Sequence, residues 1–335
     1  MRILVVRLGA IGDSIIITPL LRYLHNQGNE IVLLTSTTGM KVLENNPHVS
    51  LMIEHKTNCV RNDKLGPYFK RIAKENDCEK VIDLCESIEC NMYFHPVQPQ
   101  YNRTKQERFK LGNRNDYEET FRFAGITDEL TNDDLQPELF FTDKEEEMNA
   151  RFRAEYVGKK IITWALAGSS LHKCYPHMQA VMSYILLKYP DVMFVTVGDN
   201  KCLVIEEGLQ HERVIHKSNR WTIRQSLCMV KNSFAVIAPD TGMLHASGCY
   251  KVPKLGLLTA ANKTNVTRNF YNDYSLEAQV PCAPCFRMII DANAQCPLDP
   301  ATNLPFCSVF GFEPELVVKQ IEQMLYNHGR VKNVA

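Results

Sequence analysis

Short apolar runs alternate with amphipathic stretches along the chain. Residues 3–6, Ile-Leu-Val-Val, form a continuous apolar run. That is the pattern of a strand buried on both faces of a parallel sheet. Further runs cover 30–35, 51–53 and 80–84. Residues 14–21 start a helical pattern between the first two runs. Residues 116–124 also read as a helix, which Gly125 stops. A second series follows at 161–165, 192–197, 214–216, 234–238 and 253–258, with a helical stretch at 178–187. The spacing predicts a last helix over 314–327, opened by Glu313 and Pro314. Two successive strand–helix series predict an α/β fold of two doubly wound, Rossmann-like domains facing a cleft. Residues 126–145 are rich in Asp, Glu, Thr and Asn and mark the approach to a boundary. The expected domains are 1–145 and 155–335, with the final helix free to pack back on the first.

The first strand runs into Arg7-Leu8-Gly9-Ala10-Ile11-Gly12-Asp13. This loop lies at the carboxyl end of a strand, where open α/β sheets bind ligands. It ends in a carboxylate at the head of a helix, which suits a proton acceptor better than a phosphate cradle. A dinucleotide site would need G-x-G-x-x-G here. Arg7 stands at the first of those glycine positions, which leaves Gly9 and Gly12 and weighs against an NAD-dependent oxidoreductase.

In the second half, an apolar strand ends at Pro239, and Asp240-Thr241-Gly242-Met243-Leu244-His245 opens a helix. Asp240 or Thr241 is placed to cap it. Gly242 permits close backbone approach, and the helix terminus suits a diphosphate. His245 lies one turn after Thr241 on the same face. A third segment, Ala167-Gly168-Ser169-Ser170-Leu171-His172-Lys173, supplies small donors and one positive charge, a combination suited to an anionic leaving group. Taken singly, the Asp240–His245 segment also reads as a capped helix with a structural histidine. The Lys173 segment also reads as a solvated loop.

Composition narrows the picture. The chain has 335 residues, 45% of them hydrophobic, with 38 basic and 38 acidic side chains. Balanced charge weighs against a general nucleic-acid binder without excluding a local basic patch. Arg103, Lys105, Arg108, Lys110 and Arg114 form such a cluster. It reads either as a solvated face or as a site for a phosphorylated or carboxylated glycan, or for nucleic acid. No apolar stretch is long enough to span a membrane, which leaves peripheral membrane association open. The N-terminus does not read as a signal peptide. Twelve cysteines then point to a reducing, cytoplasmic setting with mostly free thiols. Cys282, Cys285, Cys296 and Cys307 stand together among prolines. They read as free thiols or as a structural zinc or iron site bracing a long loop.

Taken together, the three segments resemble the family 9 glycosyltransferases, the bacterial ADP-heptose:lipopolysaccharide heptosyltransferases. Residues 7–13 resemble the family's N-terminal signature. Gly168-Ser169-Ser170 with Lys173-Cys174-Tyr175-Pro176 resembles its small-residue loop and K-x-W-P element, with Tyr for Trp. Residues 240–245 resemble its D-S/T-G-x-x-H motif. The resemblance implies a GT-B fold, with the acceptor on the N-terminal domain and a nucleotide sugar on the C-terminal one. It implies an inverting displacement without a catalytic metal or other cofactor. Asp13 would be the general base, and Lys173 would neutralise the leaving diphosphate. Thr241 and Gly242 would bind that diphosphate, with Asp240, Met243, His245, Gly168, Ser169 and Asp199 completing the donor site. Gly9, Gly12, Arg103, Lys105 and Arg108 would lie on the acceptor side. A subgroup of the family holds iron with cysteines in the region of Cys282–Cys307. One departure stands at 199–200: the acid is Asp199, and Asn200 occupies the usual Glu position. The implied reaction moves a heptose from ADP-heptose to a lipopolysaccharide core or other glycan. A protein or modified nucleobase acceptor, or a nucleotide-sugar epimerase, are the alternatives.

Overall fold

The computed structural model describes residues 1–56, 64–85, 103–287 and 296–329. The first sheet holds β1 (Arg2–Arg7), β2 (Glu30–Ser36), β3 (Leu51–His55) and β4 (Lys80–Asp83). Its order is β3-β2-β1-β4, with every pair parallel. The second sheet holds β5 (Lys160–Ala165), β6 (Val192–Val197), β7 (Val214–His216), β8 (Ala235–Pro239), β9 (Lys254–Leu258) and β10 (Leu276–Glu277). Its order is β10-β9-β8-β5-β6-β7, also parallel. In each sheet the chain order reverses next to a central strand, β1 in the first and β5 in the second. Ligands bind at such switch points, outside the carboxyl ends of the strands.

Every run read above as a strand forms one. The two-residue β10 escaped because it is too short to leave a period. The helical pattern at 14–21 splits into Ile11–Ile16 and Thr18–Asn26, with Ile17 between. Pro19 has no N–H and sits in the first turn of the second helix, so one continuous helix cannot form. The Thr18 hydroxyl donates to Ile15 O at 2.8 Å across the break.

Strand alternation divides the core. Leu4 and Val6 face one way, onto Phe69 and Ile72. Ile3 and Val5 face the other, into a cluster that also contains Ile161, Ala165, Leu227 and Leu244 of the second half. The two halves therefore share one core. Ile162 and Trp164 point to the far side of the second sheet. Val317, Ile321, Met324 and Leu325 of the final helix, Pro314–Gly329, lie in that same far-side cluster. Its apolar face is buried on the second sheet. The helix Asp143–Ala154 occupies the predicted boundary region. There Arg224 binds Glu145 and donates to Phe140 O at 2.8 Å and Lys41 O at 3.1 Å, tying three segments together. Among the described residues, no helix is long and apolar enough to cross a membrane.

The halves touch most closely where the helix Ile11–Ile16 meets the helix Gly242–Gly248. A Cβ at position 242 would lie 2.3 Å from Ile11 Cγ2 and 3.2 Å from the Gly12 nitrogen. A Cβ at position 12 would lie 3.0 Å from His245 Cδ2. Backbone meets backbone here because neither residue has a side chain. Gly242→Ala should cost about 1–3 kcal/mol by overpacking this contact. Chemical denaturation measures it, and an unchanged midpoint would mean that the halves part freely at this point.

Candidate active site

The loop after β1 is built around Asp13. A Cβ at position 9 would lie 2.3 Å from Asp13 Cβ, so glycine there is what lets the side chain fold back over the loop. The Ser36 hydroxyl donates to Gly9 O at 2.7 Å and pins the turn to the end of β2. Asp13 Oδ2 accepts the Ala10 N–H at 2.7 Å, and Oδ1 accepts from Arg7. Arg7 is buried, 1% exposed, and also donates to Leu84 O at 2.6 Å. Burial works against charge on Asp13. The Arg7 guanidinium and the Ala10 N–H outweigh it and hold the carboxyl below its ordinary pKa. Asp13 is thus an ionised carboxylate, a quarter exposed at the junction of the halves.

The other half supplies the opposite charge. Lys173 closes the single turn Leu171–Lys173 after β5. Its Nζ donates to Asp240 Oδ2 at 3.2 Å and to Asp240 O. Asp240 Oδ1 lies 3.5 Å from His245 Nε2. Burial opposes ionisation of Asp240, but the Lys173 charge and a hydrogen bond from His245 prevail and hold it far below the usual carboxylate range. A Cβ at position 168 would lie 2.7 Å from Lys173 Cδ and 2.8 Å from Thr241 Cγ2. Glycine 168 therefore lets the Lys173 loop close on the 240–242 turn.

The structure thus brings Asp13, Gly12, Gly168, Lys173, Asp240, Thr241, Gly242 and His245 to one junction. Other expected residues lie apart from it or serve differently. Thr241 is the N-cap residue, but neither it nor Asp240 caps the helix with its side chain. The Thr241 hydroxyl donates instead to Pro239 O at 3.2 Å. Met243 packs against the shared core. Ser169 is exposed. Asp199 is exposed and accepts the Lys201 N–H of its own turn at 2.9 Å.

The basic cluster is not a simple solvated face. Lys105 donates to Pro281 O at 2.7 Å and Ala283 O at 3.1 Å. Arg108 is buried and donates to Cys285 O at 2.7 Å and to Arg103 O. These side chains fasten the helix Lys105–Gly112 to the cysteine loop. Lys105, Arg108 and Arg287 also line a cavity of about 260 Å³ together with His172 and the four clustered cysteines.

Of the two readings of those cysteines, the zinc or iron site finds no support in their arrangement. Cys282, Cys285, Cys296 and Cys307 are free thiols around the cavity. Among the described residues, no three His, Cys, Asp or Glu side chains are placed to hold a metal ion. Burial, reinforced by the neighbouring thiols, pushes Cys296 up to about 11 and Cys307 up to about 12.

Three residues at this junction were given no role from the sequence. Arg7 counted in the sequence as a missing glycine, yet it holds the carboxylate in place. Tyr117 lies in a helix without a motif, and its hydroxyl reaches His245 Nδ1 at 3.0 Å. His172 sits beside Lys173, and burial together with that charge lowers it to about 4, so it is neutral.

Two parallel α/β sheets with their switch points facing one junction define the GT-B fold, and this chain has it. Solved structures make the likeness particular. The family 9 glycosyltransferase of Veillonella parvula DSM 2008 superposes with a TM-score of 0.69 over 97% of each chain, at 15% identity. The ADP-heptose lipopolysaccharide heptosyltransferase II of E. coli gives a TM-score of 0.62 over 98% of this chain and 100% of that one, at 13% identity. The iron-containing dodecameric glycosyltransferase TibC of enterotoxigenic E. coli H10407 gives 0.59 over 99% of this chain and 80% of that one, at 10% identity. No family model and no curated protein matches the sequence.

Proposed function

We propose that this protein is an inverting glycosyltransferase that moves a sugar from a nucleotide-diphosphate donor to an acceptor hydroxyl. The observation that carries the reading is the pairing of opposite roles across one junction. An ionised Asp13 stands on the first half, and Lys173 and His245 gather round Asp240 on the second. The GT-B fold shared with known heptosyltransferases supports it.

In this reading Asp13 takes the proton of the acceptor hydroxyl as its oxygen bonds to the anomeric carbon. The bond from that carbon to the diphosphate breaks on the opposite face, and its electron pair stays on the phosphate oxygen. Lys173 has three N–H donors, and Asp240 engages two of them. The third is the donor for the leaving oxygen. Arg7 keeps Asp13 ionised and aimed throughout. The donor is an ADP-sugar of the heptose type, in line with the ADP-heptose that names the E. coli relative. The acceptor is a glycan such as a lipopolysaccharide core, and the cavity lined by Lys105, Arg108 and Arg287 lies on its proposed side of the junction.

A thermal-shift series with ADP-, UDP- and GDP-sugars tests the donor class. A ligand at a hundredfold excess over its Kd stabilises a folded protein by about 2.7 kcal/mol. The ADP-sugar should raise the melting temperature by several degrees and the others should not. A flat response to all three would remove the nucleotide-sugar reading.

A further inference from the structure

The mechanism above leaves Tyr117 without a part, although it is fully buried at the junction. It belongs to the helix Asp116–Phe123, which carries Phe121 against Tyr23 in the first half. Its hydroxyl lies 3.0 Å from Nδ1 of His245 in the second half. Tyr117 is 0% exposed and His245 is 3% exposed. The His245 ring is also held edge-on by Phe270, which packs on Tyr117 as well. Its other nitrogen, Nε2, faces Asp240 at 3.5 Å. The charged groups around the ring are Asp240 and Asp13, with Lys173 beyond Asp240.

The chemistry of these partners fixes the ring. An ionised carboxylate accepts hydrogen bonds and donates none, so the nitrogen facing Asp240 is the one that carries hydrogen. In a neutral imidazole the other nitrogen is then an acceptor. A buried phenol is a donor, and burial keeps its proton on Tyr117 by raising its pKa well above the ordinary value.

We infer that Tyr117 is a positioning residue. Its hydroxyl donates to His245 Nδ1, fixes the Nε2–H tautomer, and so aims a donor at Asp240 and the adjoining phosphate site. The bond crosses from one half to the other, so the ring is fully oriented only when the halves are together. A residue of the acceptor-side half thereby completes the donor side. The kinetic consequence rests on the glycosyltransfer reading, whereas the tautomer does not.

Nitrogen NMR on the full-length chain labelled with ¹⁵N-histidine tests this in mildly alkaline solution. The His245 signals are assigned by their loss in His245→Gln. In the wild type the ring hydrogen is expected on Nε2. In Tyr117→Phe, which keeps the packed ring, that preference should give way to a mixture of tautomers. Hydrogen on Nδ1 in the wild type, or a doubly protonated ring, would overturn the inference without any variant. So would an unaltered tautomer in Tyr117→Phe. In transfer assays the same variant should raise KM for the nucleotide sugar about tenfold, the loss of one buried hydrogen bond, and leave acceptor KM unchanged. A purely structural tyrosine would lower the melting temperature and move neither the tautomer nor the KM. A tautomer shift in a protein that transfers no sugar would uphold the positioning role and count against the transfer reading.

Discussion

Asp13→Asn is expected to lower turnover by about a hundred- to ten-thousand-fold, the usual contribution of a general base. The substitution keeps the size of the side chain and its place under Arg7. It removes the negative charge that accepts a proton. Donor affinity should stay near that of the parent chain, because the donor contacts proposed here come from Lys173 and the 240–245 segment. Single-turnover assays with saturating donor, alongside a binding titration, separate the two quantities. Turnover close to wild type would exclude Asp13 as the base. The pH profile adds a check of sign. Arg7 and the Ala10 N–H depress the Asp13 pKa, so the base is ionised at neutral pH and stays so into the acid range. The acid limb of kcat/KM assigned to Asp13 should therefore fall below the usual carboxylate pKa. The same depression makes the Arg7–Asp13 pair stabilising above the unfolded carboxylate pKa, and that stability fades as pH falls through the folded value.

Lys173→Ala should have the second largest effect, of order a hundred- to a thousandfold in turnover, as for removal of a donor aimed at developing charge. Donor affinity should fall in the same variant. In the proposed reaction the ammonium already meets a charged diphosphate in the ground state, and it meets a larger charge as the bond breaks. Lys173 also neutralises Asp240, so its loss leaves a partly buried carboxylate facing His245. Lys173→Arg keeps the charge but replaces a compact ammonium with a planar fork, and it should recover only part of the rate. An effect confined to acceptor affinity would place Lys173 outside the donor site.

Much of this site was legible because strand ends announce themselves. The apolar runs ending at Val6, Ala165 and Ala238 marked the carboxyl edges of both sheets. The glycine-bearing segments just beyond them proved to be the loops that meet. What was not legible depended on contacts far apart in sequence. Lys105 and Arg108 read either as a solvated face or as an acceptor site, yet their donors bind carbonyls at 281–285, which no local pattern reveals. The Tyr117–His245 bond joins residues 128 positions apart. The four cysteines have a metal-like spacing, but spacing alone does not set the approach of their sulfurs. Met243 sits inside a motif and still turns to the core, because a helix must bury one stripe whatever its neighbours do.

The meeting of Gly12 with Gly242 bears on how the junction is measured out. Side chains hop between rotamers, but main chain in contact with main chain has almost no slack. At this point the two glycines act as a mechanical stop. Asp13, the proposed proton acceptor, follows Gly12 directly, and the groups proposed at the diphosphate flank Gly242. The span between them is thus gauged by the polypeptide backbone itself, and any side chain inserted at either position would reset that gauge for the whole cleft.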